Sequence, residues 1–198
     1  MGTAPMHHFH LNDLPPTPWK NGGGSTREIV AWPKGAGMEG FDVRASVACI
    51  AHDGPFSPFA GVDRHITLLQ GGAVRLRTAG IDHTLAPLVP FAFAGEAALH
   101  AELLAGTSQD FNLMTRRSRC TGAVRVWAQA WQGGAADGAV LLAWRGRWQV
   151  QAGSTTCTLH AGEGWRSTLP LARLKAAPLT EADAPALLVA TWQYLPSK

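Results

Sequence analysis

The sequence predicts an all-β protein made of two related β-barrel, jelly-roll-like halves. Three observations lead there. The 22 glycines and 13 prolines are spread along 198 residues and cut the chain into short pieces, as many strands joined by turns require. Within those pieces apolar and polar residues alternate with the two-residue period of a strand, and long helical spacing is hard to find. A strand–glycine–strand unit also occurs twice. Leu68-Leu69-Gln70-Gly71-Gly72-Ala73-Val74-Arg75-Leu76 and Leu142-Ala143-Trp144-Arg145-Gly146-Arg147-Trp148-Gln149-Val150 each pass from an apolar strand end through a glycine turn into a second strand.

In order along the chain, His7–Leu14 reads as an exposed first strand and the β-branched Thr26–Trp32 as the next. Phe41–Ile50, His65–Gln70 and Ala73–Thr78 follow, the last two being the first copy of the repeat. Phe91–Phe93, Leu99–Leu104 and Gln109–Thr115 complete the first half. Residues Arg119–Gly122 mark the expected seam, giving an N-terminal half 1–119 and a C-terminal half 120–198. The second half restarts with Ala123–Trp131 and continues through Ala139–Trp144, Trp148–Gln151 and Thr155–Leu159. It ends in the apolar run Ala186–Tyr194, preceded by Thr180–Pro185, which reads equally as a short helical turn.

Composition excludes several classes. Apolar residues make up 46% and charged residues 16%, the opposite of what a disordered or coiled-coil chain needs. No run of eighteen apolar residues exists to form a membrane-spanning helix. Met1–Leu14 carries three histidines and no apolar core, so it does not read as a secretory signal. Cys49, Cys120 and Cys157 are odd in number, far apart and without a CxxC pair, which argues against a zinc ribbon or a disulfide framework and for a reducing cytoplasm. The net charge is +3, with basic residues scattered; even the densest group, Arg116, Arg117 and Arg119, lacks the interleaved aromatics of a nucleic-acid surface.

Four segments carry a family resemblance. They are Pro18-Trp19-Lys20-Asn21-Gly22-Gly23-Gly24-Ser25-Thr26-Arg27-Glu28-Ile29, Phe41-Asp42-Val43-Arg44-Ala45-Ser46-Val47-Ala48, Asp53-Gly54-Pro55-Phe56-Ser57-Pro58-Phe59-Ala60-Gly61-Val62-Asp63-Arg64 and Asp110-Phe111-Asn112-Leu113-Met114-Thr115-Arg116-Arg117. In order and spacing they resemble the HutD/Ves family of the cupin superfamily, from Leu14 to about Arg117; the C-terminal half is similar only in general character. The resemblance implies a bicupin fold, no established reaction, and a regulatory accessory role in histidine utilisation through binding an intermediate such as formylglutamate or urocanate.

The residues themselves suggest where a ligand would sit. Asn21-Gly22-Gly23-Gly24 is no P-loop, because its lysine precedes the glycines and a strand, not a helix, follows. It reads either as a turn into the next strand or as a loop across a barrel mouth. Strand parity says more. Thr26 and Glu28 share one face, as do Arg44 and Ser46, and Asp110, Asn112 and Met114, while Ile29, Val43, Val47, Phe111 and Leu113 face the other way. If the polar set points inward, it converges on one cavity, the usual form of a small-ligand site. Arg44 is the foremost candidate, since a guanidinium matches a carboxylate in two-point geometry; pairing with Glu28 or Asp110 is its structural alternative. The expected ligand set is Lys20, Asn21, Thr26, Glu28, Arg44, Ser46, Arg64, Asp110 and Asn112, for a small anionic metabolite.

No cofactor or metal is expected. Metal-dependent cupins carry HxH followed by a glutamate, whereas here Asp63 and His65 stand without a second histidine nearby. His8 and His10 share parity but read as an exposed strand. No GxSxG elbow offers a nucleophile. A metal-independent isomerase or hydrolase using Glu28 and Asp110 as acid and base is the enzymatic alternative. Trp127, Trp131, Trp144, Trp148 and Trp165 make the second half read as scaffold, with a homodimer surface left open.

Overall fold

Short alternating segments bounded by glycine and proline can satisfy their backbone groups only by pairing with one another. The computed structural model, which describes residues 6–179 and 184–196, is accordingly built of antiparallel strands with a single 3-10 turn, Leu11–Asp13. The first strands are β1 (His7–His10), β2 (Pro16–Pro18), β3 (Gly24–Trp32), β4 (Val43–Ile50), β5 (Gly54–Pro55), β6 (Val62–Gly71), β7 (Val74–Thr78), β8 (Ile81–Thr84), β9 (Phe91–Ala94), β10 (His100–Leu103) and β11 (Ser108–Arg116). They are followed by β12 (Cys120–Trp127), β13 (Trp131–Gly133), β14 (Gly138–Arg145), β15 (Trp148–Ala152), β16 (Thr155–Leu159), β17 (Glu163–Ser167), β18 (Leu174–Pro178) and β19 (Ala186–Tyr194).

The chain forms two units, Pro15–Thr121 and Met1–Leu14 with Gly122–Lys198. The first holds a six-stranded sheet, β2-β3-β4-β11-β6-β9, and a four-stranded sheet, β5-β10-β7-β8. Ile66, Leu68 and Phe93 of the larger sheet meet Val74, Leu76 and Ala101 of the smaller in one buried core. The second unit holds a five-stranded sheet, β1-β17-β14-β19-β12, and a four-stranded sheet, β13-β18-β15-β16. There Ala139, Leu141, Trp165, Leu187 and Val189 pack against Trp148, Val150, Leu174 and Ala176.

Strand order repeats between the units. The run β4-β11-β6-β9 has the connectivity of β12-β19-β14-β17, and β5-β10-β7-β8 that of β13-β18-β15-β16. The sequence repeat is the hinge of this correspondence, for β6–β7 and β14–β15 each leave the larger sheet and enter the smaller. Gly71 and Gly146 turn these connections with φ of 95° and 75°, a region that residues with a Cβ rarely enter.

Several expectations need correction. The divide does not run as 1–119 and 120–198, because β1 pairs with β17 and so joins the second unit. The first strand stops at His10 and turns, with His10 Nδ1 accepting the Asn12 N–H at 3.1 Å. Ala123–Trp131 is two strands, β12 and β13, in different sheets. Strands β2, β5, β8, β17 and β18 went unread because prolines, charges or brevity hide their alternation. Of the segment Thr180–Pro185, residues 180–183 lie outside the described residues. Closed barrels are not seen; each unit is a pair of sheets. No helix among the described residues is long and apolar enough to cross a membrane.

Candidate functional site

Residues paired across an antiparallel ladder project to the same face, so the registers of the six-stranded sheet can be read row by row. One row carries Thr26, Ala48, Asp110 and Leu68; the next carries Glu28, Ser46, Asn112 and Ile66. After a bulge between Glu28 and Val30, a third row runs Ala31, Arg44, Met114, Arg64 and Phe93. Ile66, Leu68 and Phe93 belong to the core shared with the four-stranded sheet, so this is the core-facing side. Thr26, Glu28, Arg44, Ser46, Arg64, Asp110 and Asn112 therefore share it, while Val43, Val47, Phe111 and Leu113 face the other way and are also buried.

Arg64 is the centre of the arrangement. It is only 8% exposed, and its Nη2 donates to Asn112 Oδ1 at 3.0 Å. Three rings surround the guanidinium carbon, Phe93 at 5.0 Å, Phe56 at 5.2 Å and Phe59 at 5.7 Å from their centroids. None of the ion pairs among the described residues neutralises it, and its Nε is buried without a partner. Burial, with the like charge of Arg44 adding, lowers its pKa from 12.5 to about 10. Arg64 Nη1 reaches only the Ser57 carbonyl, at 3.5 Å; a guanidinium buried among rings and neutral acceptors without a counter-charge is costly, and an anion would relieve that cost.

Arg44 is differently placed. Its Nε donates to Glu28 Oε2 at 2.9 Å, with the arginine largely covered and the glutamate side chain 49% exposed. Arg44 is thus paired with Glu28, which leaves its remaining guanidinium nitrogens for other partners. Ser46 is buried between Glu28 and Asn112 in their row. Asp110 is fully buried; its Oδ2 accepts from Ser108 Oγ at 2.9 Å, and its Oδ1 has no partner. Burial, partly offset by the Ser108 bond, raises its carboxyl pKa from 3.8 to about 7.

The glycine loop does not join this group. Gly24 pairs with Ile50, six residues from Arg44 along β4, or about 20 Å at strand rise. The loop is tied down there: Gly23 O accepts from Ala51 N at 2.9 Å, and a Cβ on Gly24 would collide with the Cys49 carbonyl. Asn21 directs its Oδ1 to Gly23 N at 3.0 Å, Lys20 is exposed, and Thr26 accepts from Trp19 Nε1 at 2.7 Å. Lys20 and Asn21 therefore belong to a turn at the far end of the sheet from the arginines. The residues that parity missed are Phe56, Phe59 and Phe93. Phe56 and Phe59 stand in the same motif as Arg64, which was the available signal.

Among the described residues no group of three or more His, Cys, Asp or Glu is arranged to hold a metal ion. His65 faces away from the Arg64 row, and burial lowers its pKa. In the second unit, His8, His10, Asp13, Glu163 and Arg166 line a groove of about 590 Å³. Its closest ionic contact is His8 Nε2 to Glu163 Oε2 at 3.6 Å. The groove is open and its charges are mixed, so the buried cation of the first unit is the stronger feature.

Comparison with known proteins agrees with this frame. The protein Ves of Cronobacter sakazakii is 41% identical over 163 residues, covering 81% of this chain and 87% of that protein. The protein Ves of Citrobacter koseri is 41% identical over 162 residues, covering 81% and 83%. A conserved protein of unknown function from Pseudomonas aeruginosa PAO1 superposes with a TM-score of 0.85 at 28% identity, over 96% of this chain and all of that one. The structure of HutD from Pseudomonas fluorescens gives 0.80 at 27% identity, over 97% and 100%. A cupin barrel domain protein from Leptotrichia buccalis, at 9% identity and a TM-score of 0.57 over 96% of this chain and 97% of that one, shows a shared fold alone. The HutD family matches residues 11–182, and with relatives of this identity and coverage the chain belongs to the HutD family.

Proposed function

We propose that the protein binds a small carboxylate metabolite on the core-facing side of its first unit, as a regulatory accessory of histidine utilisation. Formylglutamate and urocanate are the foremost candidates, suggested by the family. One observation carries the reading: Arg64 is a buried guanidinium with no carboxylate partner among the described residues. Arg44 stands two strands away in the same row, and Asn112 and Ser46 supply neutral polar groups one row in. A carboxylate would give Arg64 its missing counter-charge, with Arg44 as second cation and the phenylalanines excluding water. We read the two units as the halves of a bicupin, the first holding the site and the second serving as scaffold or homodimer surface, in a cytoplasmic protein. Thermal-shift screening against histidine-pathway acids tests this, since a ligand at a hundred times its Kd adds about 2.7 kcal/mol of apparent stability. No shift with any acid, or a shift with neutral sugars alone, contradicts it.

A second reading takes Asp110 and Glu28 as the acid and base of a metal-independent isomerase or hydrolase, favoured by the raised Asp110 pKa. It predicts new products when the protein is incubated with the same acids, and their absence removes it.

A further inference from the structure

The surroundings of Asp110 satisfy only one of its two carboxyl oxygens. Its two strand neighbours in the row are Ala48 and Leu68, neither able to hydrogen-bond through its side chain. Ser108 takes one carboxyl oxygen, and the other is buried and unpartnered. The charged or titratable groups on the core-facing side are few. From β3 comes Glu28, from β4 Arg44, from β6 Arg64 and from β11 itself Arg116, whose Nε donates to the Phe41 carbonyl at 3.0 Å; from the facing sheet comes His83, which pairs with Leu76 and stacks on Phe91 at 3.9 Å. No ion pair links any of them to Asp110, and the other charges of the four-stranded sheet, Arg75, Arg77, Asp82 and Glu102, pair among themselves on exposed side chains. A carboxyl group in such a place is stable as the neutral acid; with the Ser108 hydroxyl donating to Oδ2, a proton on Oδ1 is left without an acceptor. Asn112, which holds Arg64, stands two residues along the same face, about 7 Å away at strand rise. That span suits a ligand of several heavy atoms with an oxygen at each end.

We propose that Asp110 is the protonated end of the binding site, its Oδ1–H donating to an oxygen of the metabolite whose carboxylate meets Arg64, so that ligand uptake requires Asp110 to keep its proton. The inference rests on the binding reading above and adds a specificity-determining residue and a proton linkage to it. The donor end selects ligands with a carbonyl or carboxyl oxygen opposite their anionic end, and it disfavours those with only a hydrogen-bond donor there. Binding favours the protonated form and so raises the Asp110 pKa further, while ionisation of Asp110 aims a negative charge at the ligand oxygen.

The test is calorimetric titration with N-formyl-L-glutamate from pH 5.5 to 8.5, using the wild type, Asp110→Asn and Arg64→Met. The asparagine keeps an N–H donor but cannot titrate. Wild-type affinity is expected to be flat at the acid end and to fall towards tenfold per pH unit above neutrality, and Asp110→Asn to bind with a flat profile. Infrared spectroscopy of the wild type supplies a second readout: a protonated-carboxyl band that persists to higher pH when ligand is bound. A flat wild-type profile, or an equal slope in Asp110→Asn, overturns the role of Asp110 even when Arg64→Met abolishes binding. Absence of binding by the wild type at every pH overturns both this inference and the reading beneath it. Should Asp110→Asn fail to fold, an Asp110 band unaffected by ligand overturns the inference by itself.

Discussion

On the six-stranded sheet, the residues paired with Leu68, Ile66 and Arg64 from β11 are Asp110, Asn112 and Met114. At the corresponding places of the five-stranded sheet, Leu187, Val189 and Thr191 of β19 pair with Ala143, Leu141 and Ala139 of β14. In the flanking strands the polarity runs the other way: Phe93 pairs with Arg64 in one unit and the buried Ser167 with Ala139 in the other. The strand order β4-β11-β6-β9 matches β12-β19-β14-β17, and both cores are buried. The second unit thus shows that this frame accepts Leu187, Val189 and Ala139 at the places of Asp110, Asn112 and Arg64. An acid, an amide and an unpaired guanidinium in their place cost free energy, since each buried polar group must recover the hydrogen bonds it loses from water. The difference separates what the fold needs from what it tolerates for another purpose, and it points to the first unit for ligand chemistry.

The comparison can be broken by making either unit resemble the other. The largest effect is expected where an apolar core receives a polar side chain. Val189→Asn puts the counterpart of Asn112 into a core with no Arg64 to meet it, and should destabilise the protein by about 3 kcal/mol. Denaturant unfolding checks this; a loss below about 1 kcal/mol would mean that the second unit also accommodates polar groups. Next comes Arg44→Ala, expected to weaken carboxylate binding at least tenfold, about 1.4 kcal/mol, and calorimetry with unchanged affinity would remove Arg44 from the site.

A smaller effect, confined to a pH window, is expected of Asp110→Asn. The folded-state pKa of Asp110 is raised from 3.8 to about 7, so between these values the native protein holds a proton that the unfolded chain has released. Stability from this residue is therefore full below about pH 4 and is lost as pH rises through 7. The asparagine variant should gain on the wild type between pH 4.5 and 8 by a few degrees in Tm, and melting curves that stay parallel would show that Asp110 is not buried as described. The smallest change is expected from Arg64→Met without ligand. Removing a buried charge that lacks a counter-ion offsets the lost ring contacts and the Asn112 bond, so Tm should stay within a few degrees of the wild type.

What could be read from the sequence followed from local pattern. The two-residue period put Arg44 with Ser46, and Asp110 with Asn112, on one face because parity survives any uncertainty about strand ends. The same period failed where geometry departs from it, as at the β3 bulge between Glu28 and Val30. Long-range pairing was not legible: nothing in His7–His10 announces β17 as its partner, so the first residues were assigned to the wrong unit. The glycine loop misled for a related reason. Its motif is conspicuous, yet the close approach of Gly24 to the Cys49 carbonyl is a backbone requirement of the β3–β4 pair, which the spacing of glycines alone does not distinguish from a ligand cradle. The aromatic enclosure of Arg64 draws on β6, β9 and the segment before β6, and only their folding together reveals it.

The account stands or falls on whether the unpaired guanidinium of the first unit is an anion site. The direct measurement is calorimetric titration of the wild type and Arg64→Met with N-formyl-L-glutamate, urocanate and D-glucose near pH 6.5. The account predicts saturable binding of at least one acid at one site per chain, no binding of glucose, and at least a hundredfold weaker acid binding in Arg64→Met, about 2.7 kcal/mol. Equal acid affinity in the two proteins, or binding of glucose alone, would contradict it.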